Sequence, residues 1–423
     1  MTIASLAAPI AAFRRPRGIS LWSFIGPGCL IAVGYMDPGN WATDIAGGSR
    51  FGYALLPVVI ASSLCGILLQ YLALKLGLAT GKNLAEHCRE AFPKPVAFSL
   101  WLAAEGMIVA CDLAEVIGTA IALNLLFGLP LLYGVVVTGF DTLIFLSLQR
   151  RGFGTISAMA VVVVVTVVCC FVTELVLAGP RLTDIAHGLA RSDQIFHSRD
   201  MLYLGIGILG ATVMPHNLYL HSELAKKRRT DRSLVQSLRL ASLDSFGALT
   251  LAGFVNIAIL MLAASTFYIS GHHDIADISQ AYHMLEPILG GTLGAMLFGT
   301  ALLMAAQSST IAATMAGESI MQGFLQLKIA PWKRRLVTRS LAIIPAVVII
   351  IALGDKSLGT LLISSQVILC MQLPLAIIPL ILFTSRKQIM HEARNHIAVT
   401  ITASVIGLLI LSGNCWLLFS LIT

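Results

Sequence analysis

Apolar runs long enough to cross a bilayer recur along the whole chain, at roughly 22–49, 53–79, 96–127, 129–149, 155–178, 201–225, 240–269, 290–325, 336–353, 357–385 and 397–421. A crossing helix needs about 20 apolar residues to cover about 30 Å of hydrocarbon. Several runs are longer, which implies tilt or turns beyond the bilayer. The pattern predicts an all-α integral membrane protein with eleven transmembrane helices. The least sharp boundaries are "FGLP", between the third and fourth spans, and "LGDKS", between the ninth and tenth.

Polar residues interrupt this pattern at two places. Span 1 carries "MDPGN", Met36 to Asn40, between "FIGPGCLIAVGY" and "WATDIAGG". On a soluble surface Asp-Pro-Gly-Asn would be an ordinary turn; here it falls in the middle of a membrane helix. Span 6 carries "GATVMPHNLYLHS", with Pro215 between Met214 and His216. Proline removes a backbone donor and clashes with the preceding turn, so each helix should break there. A lone proline in a membrane helix is ordinarily structural. Two breaks in register, five spans apart and each carrying ligand-type side chains, point to inverted five-helix halves with a transporter site at the midplane. Irregular backbone at that depth is tolerated where it lines a cavity or is buried in protein.

The donors suggest a cation. A buried aspartate costs about 2.5–3.5 kcal/mol even on lenient insertion scales, so Asp37 requires a partner. Asp37 offers a hard anionic oxygen and Asn40 a neutral carbonyl, while unwinding around Gly34 and Ala211 would free backbone carbonyls. Met214 adds a soft thioether. Mg²⁺ and Ca²⁺ take oxygen only, so the sulfur favours a softer ion such as Mn²⁺ or Fe²⁺. Taken alone, Met214 would be ordinary core filling.

Composition and charge agree with a membrane protein. Of 423 residues 57% are hydrophobic and 12% charged, against about a quarter charged in globular chains. The net charge of +7 reflects an asymmetry between loops rather than a nucleic-acid surface. Arg50, Arg181, Arg191, Arg199 and Lys356 lie in one set of loops, and Lys75 and Arg339 lie within spans. The remaining Lys and Arg, including those of "KKRRTDR", gather in the N-terminal tail and the opposite loops. By the positive-inside rule the N-terminus is cytoplasmic and the C-terminus external. Arg14, Arg15 and Arg17 precede a full-length span, so no cleavable signal peptide is expected. The eight cysteines include no C-x-x-C pair and fall mostly in apolar runs, against both a disulfide framework and a thiolate zinc site.

"DPGN" in span 1 together with "MPHN" in span 6 resembles the Nramp family of proton-coupled divalent metal transporters. "CDLAEVIGTA" in span 3, "AAQSSTIAATMAGE" in span 8 and "SSQVILCMQLP" in span 10 extend the resemblance over nearly the whole chain. It implies a LeuT-type fold with broken helices 1 and 6, and import of Mn²⁺ or Fe²⁺, with Cd²⁺ also accepted, together with protons. It also implies metal-ligand roles for Asp37, Asn40, Met214 and the Ala211 carbonyl, with Gln366 joining in some states. Gly34 departs from the alanine usual in the family but leaves its carbonyl available as a ligand. Magnesium-transporting relatives lack the span 6 methionine, so Met214 argues against that branch.

Span 3 holds a second ionisable set. Glu105, Asp112 and Glu115 are spaced to share a helical face, and acid–histidine chains are the usual proton relay in membranes. His216 lies two residues beyond Met214, within reach of Glu115, and imidazole titrates near physiological pH. The family resemblance implies that Asp112 pairs with Arg334 or Arg335 at the start of span 9, completing a proton exit. Static ion pairs that fix helix packing are the alternative. His221 is a further candidate, whereas His272 and His273, beside Asp274, read as ordinary solvated loop.

The organisation expected is a cytoplasmic tail (1–20), a first repeat of helices 1–5 (21–178), an external loop (179–200), a second repeat of helices 6–10 (201–385) and helix 11 (386–423). A bacterial inner-membrane carrier is expected, with metal ion and protons as substrates. No permanently bound cofactor, nucleic acid or obligatory protein partner is expected. No nucleotide-binding loop or nucleophile constellation suggests an enzyme. An amino-acid or other organic-solute symporter on the same fold is the rival reading. Asp37 would repel an organic anion, and a thioether offers nothing to Na⁺.

Overall fold

The computed structural model describes residues 26–140, 153–228, 233–273, 275, 277–288, 292–327, 331–354 and 358–422. The N-terminal arginines, the beginning of the expected first span, the end of the fourth, Asp274 and Lys356 lie outside these residues. The helices are α1 (Pro27–Gly34), α2 (Pro38–Phe51), α3 (Leu56–Thr80), α4 (Leu84–Ala91), α5 (Lys94–Phe127), α6 (Leu131–Val137), α7 (Phe153–Ala178), α8 (Leu182–Leu189) and α9 (Arg199–Thr212). They continue with α10 (Pro215–Lys227), α11 (Leu234–Ala263), α12 (Ile278–Ile288), α13 (Thr292–Leu325), α14 (Pro331–Leu353), α15 (Leu358–Ser385), α16 (Lys387–Met390) and α17 (Ile397–Ile422).

Among the described residues there is no strand, and nine helical stretches are long and apolar enough to cross a membrane. This is a multi-pass membrane protein. The second half of the expected first span and the whole second span enter as one stretch, Pro38–Thr80, and the expected fourth is described only over Leu131–Phe140.

Both expected breaks are present. α1 ends at Gly34 and α2 begins at Pro38; α9 ends at Thr212 and α10 begins at Pro215. Proline alone does not cause this, because Pro345 lies inside α14 and Pro374 and Pro379 inside α15 without ending either helix. At the first break the Asp37 side chain restarts the helix by accepting from the Asn40 N–H at 2.8 Å, an N-cap that satisfies an otherwise orphaned donor.

Helix α15 packs against α2 and α9, so it touches the chain on both sides of the site, while α10 packs against α3 and α13 and α5 runs along α13. Small residues allow these approaches, as is usual in membrane bundles. A Cβ at Gly210 would stand 2.5 Å from the Gln366 carbonyl and from Cys370 Cβ. Trp41 wedges α2 between Phe171 and Phe298, with ring centroids at 4.8 and 5.1 Å.

The N-terminal end of α1 is tied to α11. Asp244 accepts from the Gly28 N–H through Oδ2 at 2.8 Å and from the Gly26 N–H through Oδ1 at 3.3 Å, and Arg228 Nη1 stands 3.8 Å from the same Oδ2. Outside the spans, Asn83 and Glu86 form a capping box on α4. Glu86 also accepts from Lys226 Nζ at 2.9 and 3.0 Å.

Candidate metal and proton site

The two candidate backbone ligands stand in the same relation to their breaks. A helical carbonyl accepts from the N–H four residues later. For Gly34 and Ala211 that residue is Pro38 or Pro215, which has no N–H. The Gly34 carbonyl accepts instead a long bond from the Asp37 N–H at 3.3 Å, which leaves its second lone pair free.

Asp37 is fully buried, and its Oδ2 has no hydrogen-bond partner in the protein. Asn40 donates through Nδ2 to the Tyr35 carbonyl at 2.7 Å, holding its Oδ1 without a donor. Asn217, on the first turn of α10, reaches the Ile31 carbonyl at 3.5 Å and the Met214 sulfur at 3.7 Å, and its Oδ1 is likewise unpartnered. Gln366 presses its amide on Gly39, in space that a Cβ there would need, with Oε1 unpartnered. These four orphaned buried atoms are all acceptors. Buried acceptors without donors cost about 1–3 kcal/mol each, and a bound cation would satisfy such a set. Among the described residues no group of three or more His, Cys, Asp or Glu could hold a metal. The candidate donors here are a carboxylate, amides, carbonyls and a thioether.

The ionisable residues form a separate buried group. Glu115 Oε1 accepts from Ser309 Oγ at 2.9 Å and from the Cys111 thiol at 3.7 Å. The Cys111 sulfur in turn lies 3.9 Å from His216 Nε2. His216 and Glu115 are therefore linked through a thiol rather than in direct contact. On the far side, Glu115 Oε2 faces Arg339 Nη1 at 3.7 Å.

Of the two arginines implied as partners of Asp112, Arg334 and Arg335, the first is engaged elsewhere. Arg334 Nη2 instead donates to Glu105 Oε2 at 2.8 Å, and Trp101 Nε1 holds the other oxygen of Glu105 at 3.1 Å. Glu105 lies two turns from Asp112 on α5, nearer the end against which Arg334 packs. Arg335 donates to the Thr310 carbonyl at 3.2 Å. Asp112 is buried, with Oδ1 unpartnered. His221 is apart from this group. Its Nδ1 lies 2.9 Å from Gln70 Oε1 and its Nε2 3.1 Å from Ser245 Oγ, and Gln70 Nε2 donates to Tyr35 Oη at 3.0 Å.

The family model described as natural resistance-associated macrophage protein-like matches residues 28–420. The chain belongs to the Nramp family. An Nramp relative from Nostoc sp., named divalent metal cation transporter MntH, is 47% identical over 412 residues, covering 96% of this chain and 93% of its own. A relative of the same name from Mesorhizobium japonicum is 48% identical over 403 residues, covering 94% and 89%. Among solved structures, the manganese transporter of Eremococcus coleocola superposes with a TM-score of 0.86 at 36% identity, covering 95% of this chain and 87% of its own. The nucleobase-cation symporter Mhp1 superposes with a TM-score of 0.61 at 16% identity, covering 89% and 81%, and shares the fold alone.

Within this Nramp chain, sequence reasoning overlooked Cys111, Arg339 and Asn217. Arg339 was recognisable in principle, because an arginine inside a span requires an acid and it lies one turn beyond Arg335. Cys111 and Asn217 carried no comparable signal. The space against Gly34 is filled by the Asn217 amide, so the departure at position 34 is matched by a polar side chain from the opposite break.

Proposed function

We propose that this Nramp chain imports Mn²⁺ or Fe²⁺ with protons by alternating access, and that it accepts Cd²⁺. Asp37, Asn40, Met214 and the carbonyls of Ala211 and Gly34 hold the ion, and Gln366 enters in part of the cycle. The observation that carries this reading is the orphaned Asp37 Oδ2 beside unpartnered amide oxygens at two proline breaks. The names of the Nostoc and Eremococcus relatives support the same cargo. In this reading the chain crosses a bacterial inner membrane eleven times, as two inverted five-helix repeats plus a last helix, with the N-terminus cytoplasmic and the C-terminus external. Half-helices α1 and α10 move around the site. Protons pass from Asp37 by His216 and Glu115 toward Asp112, Glu105 and the arginines of α14.

Isothermal calorimetry on Asp37→Ala tests the ligand assignment. The variant should fold and lose Mn²⁺ binding, because the only formal charge in either break is gone. Wild-type affinity would overturn the site.

A further inference from the structure

A groove of about 260 Å³ runs between α3 and α11, lined by Leu64, Leu68 and Tyr71 on one side and Ser242, Phe246 and Leu249 on the other. Both helices are candidate spans, and Leu64 and Phe246 are 62% and 58% exposed, so the groove opens toward hydrocarbon. The helices run antiparallel here. Ser63 meets Gly253, while Gln70 and Ser245 are joined through His221. Ser242 and Tyr71 therefore lie toward one end of the groove and Leu64 and Leu249 toward the other.

The polar end leads to a basic pocket. Lys75 is one turn beyond Tyr71 on the same face of α3, with its Nζ 5.8 Å from the Tyr71 ring centroid. Lys75 also donates to Asn395 Oδ1 at 3.0 Å. Asn395 is held rigidly, its N–H and Nδ2 both bound to Thr384 at 3.1 and 2.9 Å. It lines a cavity of about 420 Å³ together with Lys387, His391, Arg394 and His396, against a single acid, Glu392. Ser242 Oγ, at the same end of the groove, is buried without a protein partner.

We propose that the groove and the basic cavity, bridged by Lys75 between Tyr71 and Asn395, bind one anionic phospholipid. An acyl chain lies in the groove past Ser242, and the phosphate is held by Lys387 and Arg394 beside Lys75. An apolar slot with a cluster of basic residues beyond its polar end fits an amphiphile with a negative headgroup, since basic clusters beside membrane helices attract acidic lipid headgroups. A zwitterionic lipid would satisfy the slot but gain little from the pocket. The bound lipid would abut Ser245, and through it the chain of hydrogen bonds from His221 to Tyr35 at the first break.

The test uses the full chain in nanodiscs with phosphatidylglycerol or phosphatidylcholine bearing a photoactivatable group on one acyl chain. Cross-links from phosphatidylglycerol should concentrate on peptides containing Leu64–Leu74 and Ser242–Leu249, several-fold above phosphatidylcholine with the same chains. Lys387→Gln with Arg394→Gln should bring phosphatidylglycerol labelling down to the phosphatidylcholine level, and Ser242→Trp should block the groove to both lipids. The two basic residues are exposed, so their exchange decides the matter even if the tryptophan variant fails to fold. Equal labelling by the two lipids, or labels spread evenly onto α14 and α17, would overturn the proposal.

Discussion

Glu115 and Arg339 face each other at 3.7 Å with side chains 0% and 2% exposed. The distance is that of an ion pair without a direct hydrogen bond, and Arg339 also donates through Nε to the Thr138 carbonyl at 3.4 Å. Removing one partner leaves a buried charge uncompensated, which costs up to about 3–5 kcal/mol. Arg339→Gln should therefore lower the melting temperature of the purified protein markedly. Adding Glu115→Gln should recover part of the loss. Additive losses in the double variant would mean that the two groups do not interact.

The relay itself is tested by charge removal at constant shape. Glu115→Gln and Asp112→Asn keep size and hydrogen-bonding capacity but cannot exchange a proton. In the proposed cycle a divalent cation arriving at Asp37 would displace a proton held there, because like charges compete for one carboxylate. Both variants should slow proton entry, or uncouple it from metal, more than they alter Mn²⁺ affinity. Parallel liposome uptake, with a pH dye for H⁺ and a fluorescent chelator for Mn²⁺, reads both fluxes across membrane potential. Wild-type coupling in both variants would make these acids packing pairs.

Met214 should act as a filter. Its thioether attracts soft ions, and its methyl group obstructs the waters that hard ions retain. Met214→Ala is expected to keep part of Mn²⁺ transport, weaken Cd²⁺ binding by about tenfold, near 1.4 kcal/mol, and admit Ca²⁺ or Mg²⁺ as competitors. Continued exclusion of Ca²⁺ in a competition assay would place selectivity elsewhere.

Glu86 should give its contact with Lys226 an acid limb. Burial pushes its carboxyl pKa up, but hydrogen bonds from Lys226 and the Asn83 N–H, with the Lys226 and Arg89 charges, outweigh burial and hold it below the ordinary value. A depressed carboxyl contributes stability that is present above the unfolded-state pKa and is lost as pH falls through the folded one. With Lys226 30% and Glu86 22% exposed, solvent screening limits the contribution to about 1 kcal/mol. Glu86→Gln should flatten the fall in melting temperature between neutral and acidic pH, and high salt should shrink the wild-type effect. An unchanged acid limb in the variant would assign it to other carboxylates.

The sequence by itself determined the all-helical membrane class, the two broken helices and the identity of the charge placed at a break. Run length and the capping carboxylate of Asp37 act within a few residues, and Pro38 and Pro215 mark where α2 and α10 begin, although Pro345, Pro374 and Pro379 lie within unbroken helices. Tertiary structure decided which polar groups meet. The α5 spacing placed Glu105, Asp112 and Glu115 on a shared face but not their partners, so Arg334, one of the two arginines implied for Asp112, reaches Glu105 instead. Arg339 faces Glu115, and Cys111 stands between Glu115 and His216. The Gly34 departure was visible along the chain, whereas the Asn217 amide that fills its space comes from the other half. Pairings between α5, α10 and α14 depend on how closely helices far apart in sequence approach and turn toward one another, and packing across the bundle sets that geometry.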